Sequence, residues 1–469
     1  MFKKLKAYLA SRSPDNLYRI NGAVPFKTAI FCGLQHILAM FVANITPIII
    51  VFGNASIGGD IELETAIISA IFVAGVGTLI QLFSIWRIGA RLPIVVGISF
   101  TFVGVLSTVA VQYGIGTMIG STLVGGGIIM ILGFFAQYWR KFVKPIVLAI
   151  VILAIGLSLI PVGIKQLLGT NTLSNFDIGS TWPFLVVGFI TLVSYIIFAN
   201  LFKNWVKNTA IILAIGIGYL VSLVFHFSGV ATFFDFTTLE VTSALDVINV
   251  PRLIDFGILR FDFGAIAITT IIYIVAATEA MGDVSALTHI CENREATNKE
   301  ISGAIVGDGL ISSLSAIFGA LPITTFSQNV GVIKETKICN RMTIFFGALF
   351  LLLFSFFPIL AKVIITIPEP VLGGCMIILF TSIVIAGLEM IAKLGFSKKN
   401  SLILCLALGI GYGLSLLSLD TNIAVFFNSL GYVGIIISNP VPTMFLISLV
   451  LSLVIKETPP VAPVEASLS

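Results

Sequence analysis

The sequence predicts an all-α polytopic membrane protein, and three observations lead there. Of its 469 residues, 58% are hydrophobic and only 10% charged, where a soluble domain carries about 25% charged residues. Apolar stretches recur along the whole chain at the length a spanning helix needs, about 20 residues. The basic residues gather in alternate connections, as Lys and Arg do in cytoplasmic loops. No Pro-rich linker or low-complexity tract divides the chain, so one membrane domain is expected. The ends are polar: 1–20 is basic and 456–469 is rich in Pro and Glu. The basic start is not followed by a short apolar core and a small-residue cleavage site, so it is not expected to be a cleavable signal peptide.

Clear spans are expected at about 29–52, 64–86, 115–138, 145–163, 183–202, 209–228, 263–286, 341–364, 370–391, 401–418 and 440–455. More polar or broken ones are expected at about 94–112, 300–318, 321–337 and 422–438. Treating 422–455 as one interrupted region gives fourteen spans. With the N-terminus in the cytoplasm, this count places 22 of the 26 basic residues on the cytoplasmic side; Lys165, Arg252, Arg260 and Lys362 are the exceptions. A miscounted span in the middle would scramble that pattern. A plasma-membrane protein with both termini cytoplasmic follows.

The segment 321–337, LPITTFSQNVGVIKETK, cannot be an ordinary membrane helix. Pro322 removes a backbone donor, and Thr324, Thr325, Ser327, Gln328 and Asn329 run almost together. Such a run is costly in lipid unless it lines a cavity inside the protein. Leu92-Pro93-Ile94 in the third span echoes Leu321-Pro322-Ile323 in the tenth, seven spans apart. A seven-span repeat is odd, so its halves run in opposite directions. Inverted repeats of that kind bring broken segments face to face at the midplane, where transporters bind substrate. Each segment is expected to form a short strand before a helix, the two helix N-termini presenting N–H groups to a polar ligand.

The ionisable residues inside the spans sharpen this reading. Glu279 and Asp283 share one face of the eighth span, four residues apart. Buried acids usually face a cavity, although a structural pair tied to hydroxyl groups is the alternative. Asp308, between Gly307 and Gly309, reads either as a proton carrier or as the cap of a broken helix. His36 in the first span reads as a proton relay or as a satisfied core residue. Gln328 and Asn329 each donate and accept, so an amide there can pair with adjacent edge groups of a planar heterocycle. Phe100 offers an aromatic face for stacking or plain packing. Together these residues suit a flat molecule bearing N–H and C=O groups.

Nothing in the sequence points to covalent chemistry. No phosphate loop, nucleophile elbow or zinc pattern occurs, so neither an enzyme nor an ATP-driven pump is expected, and no cofactor, metal or nucleic-acid partner. The histidines His36, His226 and His289 lie far apart. The five cysteines have no close pairing in sequence, and no disulfide is expected.

Gln328-Asn329-Val330-Gly331 followed by Thr336-Lys337 resembles the signature of the nucleobase–ascorbate transporter family, in its xanthine and uric acid branch. GLQHILAMFVANITP (33–47), ATEAMGD (277–283), GDG (307–309) and IPEPVLGG (367–374) resemble the family's first, eighth, ninth and twelfth spans, so the likeness covers almost the whole chain. It implies fourteen segments in two inverted repeats of seven, with short antiparallel strands in segments 3 and 10. The core would comprise 29–138 and 263–364, the gate 139–262 and 365–456, with tails at 1–28 and 457–469. The resemblance implies a homodimer that imports a purine nucleobase by proton symport, the core sliding against the gate like an elevator. By position, Glu279 and Gln328 would hold the base, helped near Phe100 and Ser327. His36, Asp283, Asp308 and Asn329 would support the site and proton coupling. Uracil-type members carry His and Glu where this chain has Asp283 and Gln328, which resembles the purine branch. Xanthine-selective members often carry Asn at the position of Thr101; the smaller Thr would leave room for the extra oxygen of uric acid. Xanthine is the first expectation and uric acid the second. A uracil-type permease or an anion carrier of the same architecture is the alternative, and two buried acids on the eighth span argue against the anion carrier.

Overall fold

The computed structural model describes residues 13–53, 63–169, 178–202, 205–234, 236 and 247–455. The outer tails 1–12 and 456–469, and with them Lys3, Lys4, Lys6, Arg12 and Lys456, lie outside the described residues, as does Lys203. Among the described residues the fold is helical apart from one pair of short strands. In order come α1 (Phe26–Phe52), α2 (Leu63–Leu82), β1 (Val96–Ile98), α3 (Val103–Tyr113), α4 (Ile115–Phe134), α5 (Pro145–Leu167), α6 (Ile178–Leu201) and α7 (Ala210–Phe227). Then follow α8 (Phe263–Glu292), α9 (Asn298–Ile317), β2 (Ile323–Thr325), α10 (Ser327–Thr336), α11 (Arg341–Phe354) and α12 (Pro358–Ile365). The chain continues with α13 (Glu369–Leu394), α14 (Lys398–Leu417), α15 (Thr421–Ser429), α16 (Tyr432–Ser438) and α17 (Pro440–Val454).

Among the described residues ten helices are long and apolar enough to cross a membrane, or twelve if each of two bent pairs counts as one span. The bends are α11–α12 at 85° and α16–α17 at 84°. The expected span 341–364 is thus not a straight helix. Pro358 has no N–H to continue the ladder, and the new helix starts on it. Pro440 plays the same part after Asn439. The interrupted region 422–455 resolves into α15, α16 and α17. Within α14, Ala407–Tyr412 form a π-helical turn.

Local chemistry sets the helix ends that frame the centre. Asp262 caps α8 by accepting from Ala265 N at 3.0 Å, and Asn293, at φ 49°, ends it. α9 opens with a reciprocal cap: Thr297 accepts from Glu300 N, and the Glu300 carboxylate accepts from Thr297 N. α9 lies along α4, α11 against α1 and α2, and α13 against α5 and α6. Small residues allow the close approach: a Cβ at Gly309 would sit 2.6 Å from Met130 N, and one at Gly387 would sit 2.7 Å from Leu153 N.

Part of the expected N-terminal tail is packed on the helices. Asn340, fully buried, donates from Nδ2 to the carbonyls of Asn16, Arg19 and Gly22. Arg341 donates to Asn21 and to the Leu82 carbonyl. The segment before α1 is therefore tied to the start of α11.

Candidate functional site

The centre of the molecule is the strand crossing. β1 and β2 pair antiparallel in the register Val96 with Thr325, Gly97 with Thr324 and Ile98 with Ile323. A lone two-stranded ladder leaves an outer edge of unpaired groups on each strand, and buried backbone groups must find partners. Side chains from the long helices supply them. Thr78 accepts from Val96 N at 3.2 Å and Asn44 from Ile98 N at 2.8 Å. On β2, the Ser312 hydroxyl accepts from Ile323 N and donates to Ile323 O, and Asp308 accepts from Thr325 N at 3.3 Å. Gly97 is needed here, because a Cβ would meet the Phe326 ring at 2.6 Å and Asn44 Oδ1 at 2.7 Å.

Each strand leads directly into a helix, β1 through the turn Phe100–Phe102 into α3, and β2 into α10. Neither helical start carries a side-chain cap. Both begin beside the acidic face of α8. Glu279 Oε2 accepts from the Thr101 hydroxyl at 2.9 Å, and Oε1 lies 3.5 Å from the Ser327 hydroxyl. Ser327 donates to Asp283, 2.9 Å from either carboxylate oxygen, and Thr325 donates to Asp283 Oδ2 at 3.0 Å. Asp308 accepts from Gln81 Nε2 at 2.8 Å. Among the described residues none of these three carboxylates has an ion-pair partner; hydroxyl, amide and backbone donors hold them.

A cavity of about 440 Å³ adjoins the crossing. Phe100, Glu279, Asp283, Ser327 and Gln328 line one side, and Leu148, Ile152 and Ile155 of α5 with Ser382 and Met390 of α13 line the other. The cavity runs toward the C-terminal ends of α8, α10 and α13, past Ala286, Lys334, Glu389 and Lys393. The half-buried Gln328 amide has no hydrogen-bond partner among the described residues. The Phe100 ring packs edge-on against Phe380 of α13 at 5.4 Å and 81°.

Of the nine residues singled out in the sequence, five therefore meet at the cavity: Phe100, Glu279, Asp283, Ser327 and Gln328. Thr101 does not line it; it sits behind Glu279, 3% exposed, and fixes that carboxylate. Room for a larger ligand beside a small Thr101 is not what the structure offers. Asp308 lies behind β2, outside the main cavity. His36 and Asn329 face one another, with Asn329 Nδ2 3.2 Å from both His36 Nδ1 and His36 O, so His36 meets an amide and not a carboxylate.

Sequence reasoning missed the supports. Gln81, fully buried, donates to Asp308 and to Ala304 O and accepts from Ala90 N. Asn44 and Thr78 hold β1. Amides within apolar helices, Asn44 in α1 and Gln81 in α2, were the available signal, since such groups need partners in lipid. Lys334, Glu389 and Lys393 gave no signal, because helix-end charges are ordinarily solvated.

The chain is similar to known permeases. The sequence model of the Permease family matches residues 27–419. The xanthine permease of Bacillus subtilis is 30% identical over 83% of this chain and 86% of its own length. The uric acid permease PucK of the same organism is 32% identical over 85% and 88%. The transmembrane domain of a cyanobacterium bicarbonate transporter, BicA, is similar in fold, with a TM-score of 0.58 and 16% identity over 91% of this chain and 96% of that one. The chain belongs to the nucleobase–ascorbate transporter family of permeases and is an integral membrane protein.

Proposed function

We propose that the chain is a secondary active transporter that imports a purine nucleobase, xanthine in the first place, by proton symport. The observation that carries this reading is the pairing of Glu279 and Gln328 at one cavity. α8 brings a carboxylate that accepts from ring N–H groups; α10 brings an uncommitted amide that pairs with a neighbouring N–H and C=O. Phe100 lies beside them with an apolar ring. A volume of about 440 Å³ suits a small-molecule site, which spans about 300–1,000 Å³. The absence of an ion-pair partner for Glu279, Asp283 and Asp308 among the described residues is consistent with a coupled proton.

The movement we infer is a core sliding past a gate. On this reading the ten apolar helices, the two bent pairs and the strand–helix units β1–α3 and β2–α10 of the described residues would serve as fourteen segments. The core would hold 29–138 and 263–364, the gate 139–262 and 365–456. The cavity lies between α8–α10 and α5–α13, which is where such halves would part. It opens on the side of Lys334 and Lys393, the side that basic-residue placement assigns to the cytoplasm. α6, α7 and α14 bury little of themselves inside the chain, consistent with contact to lipid and to a second copy in a homodimer.

Uric acid is the second reading, favoured by the likeness to a uric acid permease. Uptake of labelled xanthine into a purine-transport-deficient bacterial host tests both, with and without a protonophore. Unlabelled urate, uracil, guanine and sulfate serve as competitors. Protonophore-sensitive uptake blocked by urate and not by uracil or sulfate is expected. Uptake of labelled urate without xanthine would reverse the order, and entry of neither would remove the purine reading.

A further inference from the structure

Two cysteines 48 positions apart in sequence meet at the ends of the two helices that carry the site. Cys291 lies in the last turn of α8, just before Asn293 turns the chain at φ 49°. Lys337, at φ 60°, ends α10 and turns the chain so that Cys339 comes back toward α8. The two helices are in contact, and the two thiols lie close enough to act on one another. Both are free; Cys291 is half-buried and Cys339 is buried. Cys339 is held in place, its N–H donating to Leu17 O at 2.9 Å and its neighbour Asn340 anchored to three carbonyls. The neighbouring Cys291 thiol, with the Lys337 ammonium nearby, lowers the Cys339 thiol from its ordinary value. The cavity-lining Glu279, Asp283 and Ala286 stand on the same helix as Cys291, and Ser327, Gln328 and Lys334 on the helix just before Cys339.

We propose that Cys291 and Cys339 are a redox pair that closes to a disulfide under a low-molecular-weight disulfide oxidant, fixing the end of α8 to the end of α10 and slowing transport. The exchange balances. Cys291, the more accessible thiol, gives up its proton as it attacks one sulfur of the oxidant; the oxidant's S–S bond breaks, and one thiolate leaves and takes up that proton. The Cys339 thiolate then attacks the Cys291 sulfur of the mixed disulfide, and the second small thiolate leaves with the Cys339 proton. Two protein thiols are oxidised and one small disulfide is reduced to two thiols. Disulfides are rare in reducing compartments unless they serve a catalytic or sensing role, so a pre-positioned pair of free thiols fits a responsive bond better than a permanent staple.

The test uses membranes containing the full chain. They are treated with oxidised glutathione, free thiols are blocked with iodoacetamide, and the digest is analysed by mass spectrometry. A Cys291–Cys339 linked peptide is expected, lost on adding dithiothreitol. In Cys339→Ser a glutathione adduct on Cys291 should accumulate instead. Alkylation of both cysteines in the treated wild type, or a lasting glutathione adduct on its Cys291, would overturn the pair. Uptake of labelled xanthine should fall several-fold on oxidation, recover with dithiothreitol and stay unchanged in Cys339→Ser. Unaltered uptake by cross-linked protein would overturn the slowing. That arm rests on the transport reading, whereas the linked peptide does not, so a failure of either is separable.

Discussion

Replacing Thr101 by Val keeps the shape of the side chain and removes one donor. In the structure that donor is 2.9 Å from Glu279 Oε2, and the remaining hydroxyl near Glu279, on Ser327, is 3.5 Å away and already serves Asp283. A hydrogen bond to a charged group contributes about 1.5–3 kcal/mol. Glu279 is only half-buried at the cavity, so water there offsets part of the loss and the lower half of that range applies. About 1.5–2 kcal/mol corresponds to about a ten- to thirtyfold rise in Kd. Because Thr101 acts through Glu279, xanthine and urate should weaken together. The assay is calorimetric titration of purified Thr101→Val with each purine beside the wild type. A changed urate-to-xanthine ratio with xanthine affinity intact would refute the reasoning and return Thr101 to the cavity wall.

Gln328→Ala should weaken xanthine binding by about 1–3 kcal/mol and leave the melting temperature in detergent unmoved, because the amide has no protein partner among the described residues. Gln81→Leu should do the reverse first: it strands Asp308 Oδ1 and Ala90 N, and a loss of about 3 kcal/mol or more is expected in thermal unfolding. Asp308→Asn should keep part of the binding and lose accumulation against a gradient; uptake with and without a protonophore reads this, and a variant that still concentrates substrate removes Asp308 as the proton site. Gly97→Ala should abolish uptake while the protein still reaches the membrane, because its Cβ would displace the Phe326 ring or Asn44. Glu335→Gln breaks an ion pair with Lys207 whose side chains are 50% and 46% exposed; a stability change under about 1 kcal/mol is expected from the melting curve.

Much of the architecture was legible because lipid restricts what a chain can do. Apolar runs marked the spans, and the Pro-led segments at 92–99 and 321–328 marked the crossing, the second because its polar run ruled out an ordinary membrane helix. Glu279 and Asp283 were legible as acids in an apolar helix. What stayed hidden depends on neighbours far away in sequence. Thr101 looked like a cavity residue because it stands where xanthine-selective members often carry Asn, yet the tight turn at Phe100–Phe102 points its hydroxyl at Glu279. Gln81 gave a signal without a partner: nothing in its own helix says that it will hold Asp308, 227 positions on. The bend before Pro358 was masked by an unbroken apolar run. The thiol pair was hidden for the same reason as Gln81, since the packing of α8 on α10, which places Cys291 near Cys339, is not written in either segment.

The central claim is that Glu279 holds the purine. Its most direct test is the affinity of purified protein for xanthine, measured for the wild type and for Glu279→Ala at matched thermal stability. Loss of detectable binding in the variant, with a melting temperature near that of the wild type, is the predicted result. An affinity within twofold of the wild type would contradict the account and place the substrate elsewhere.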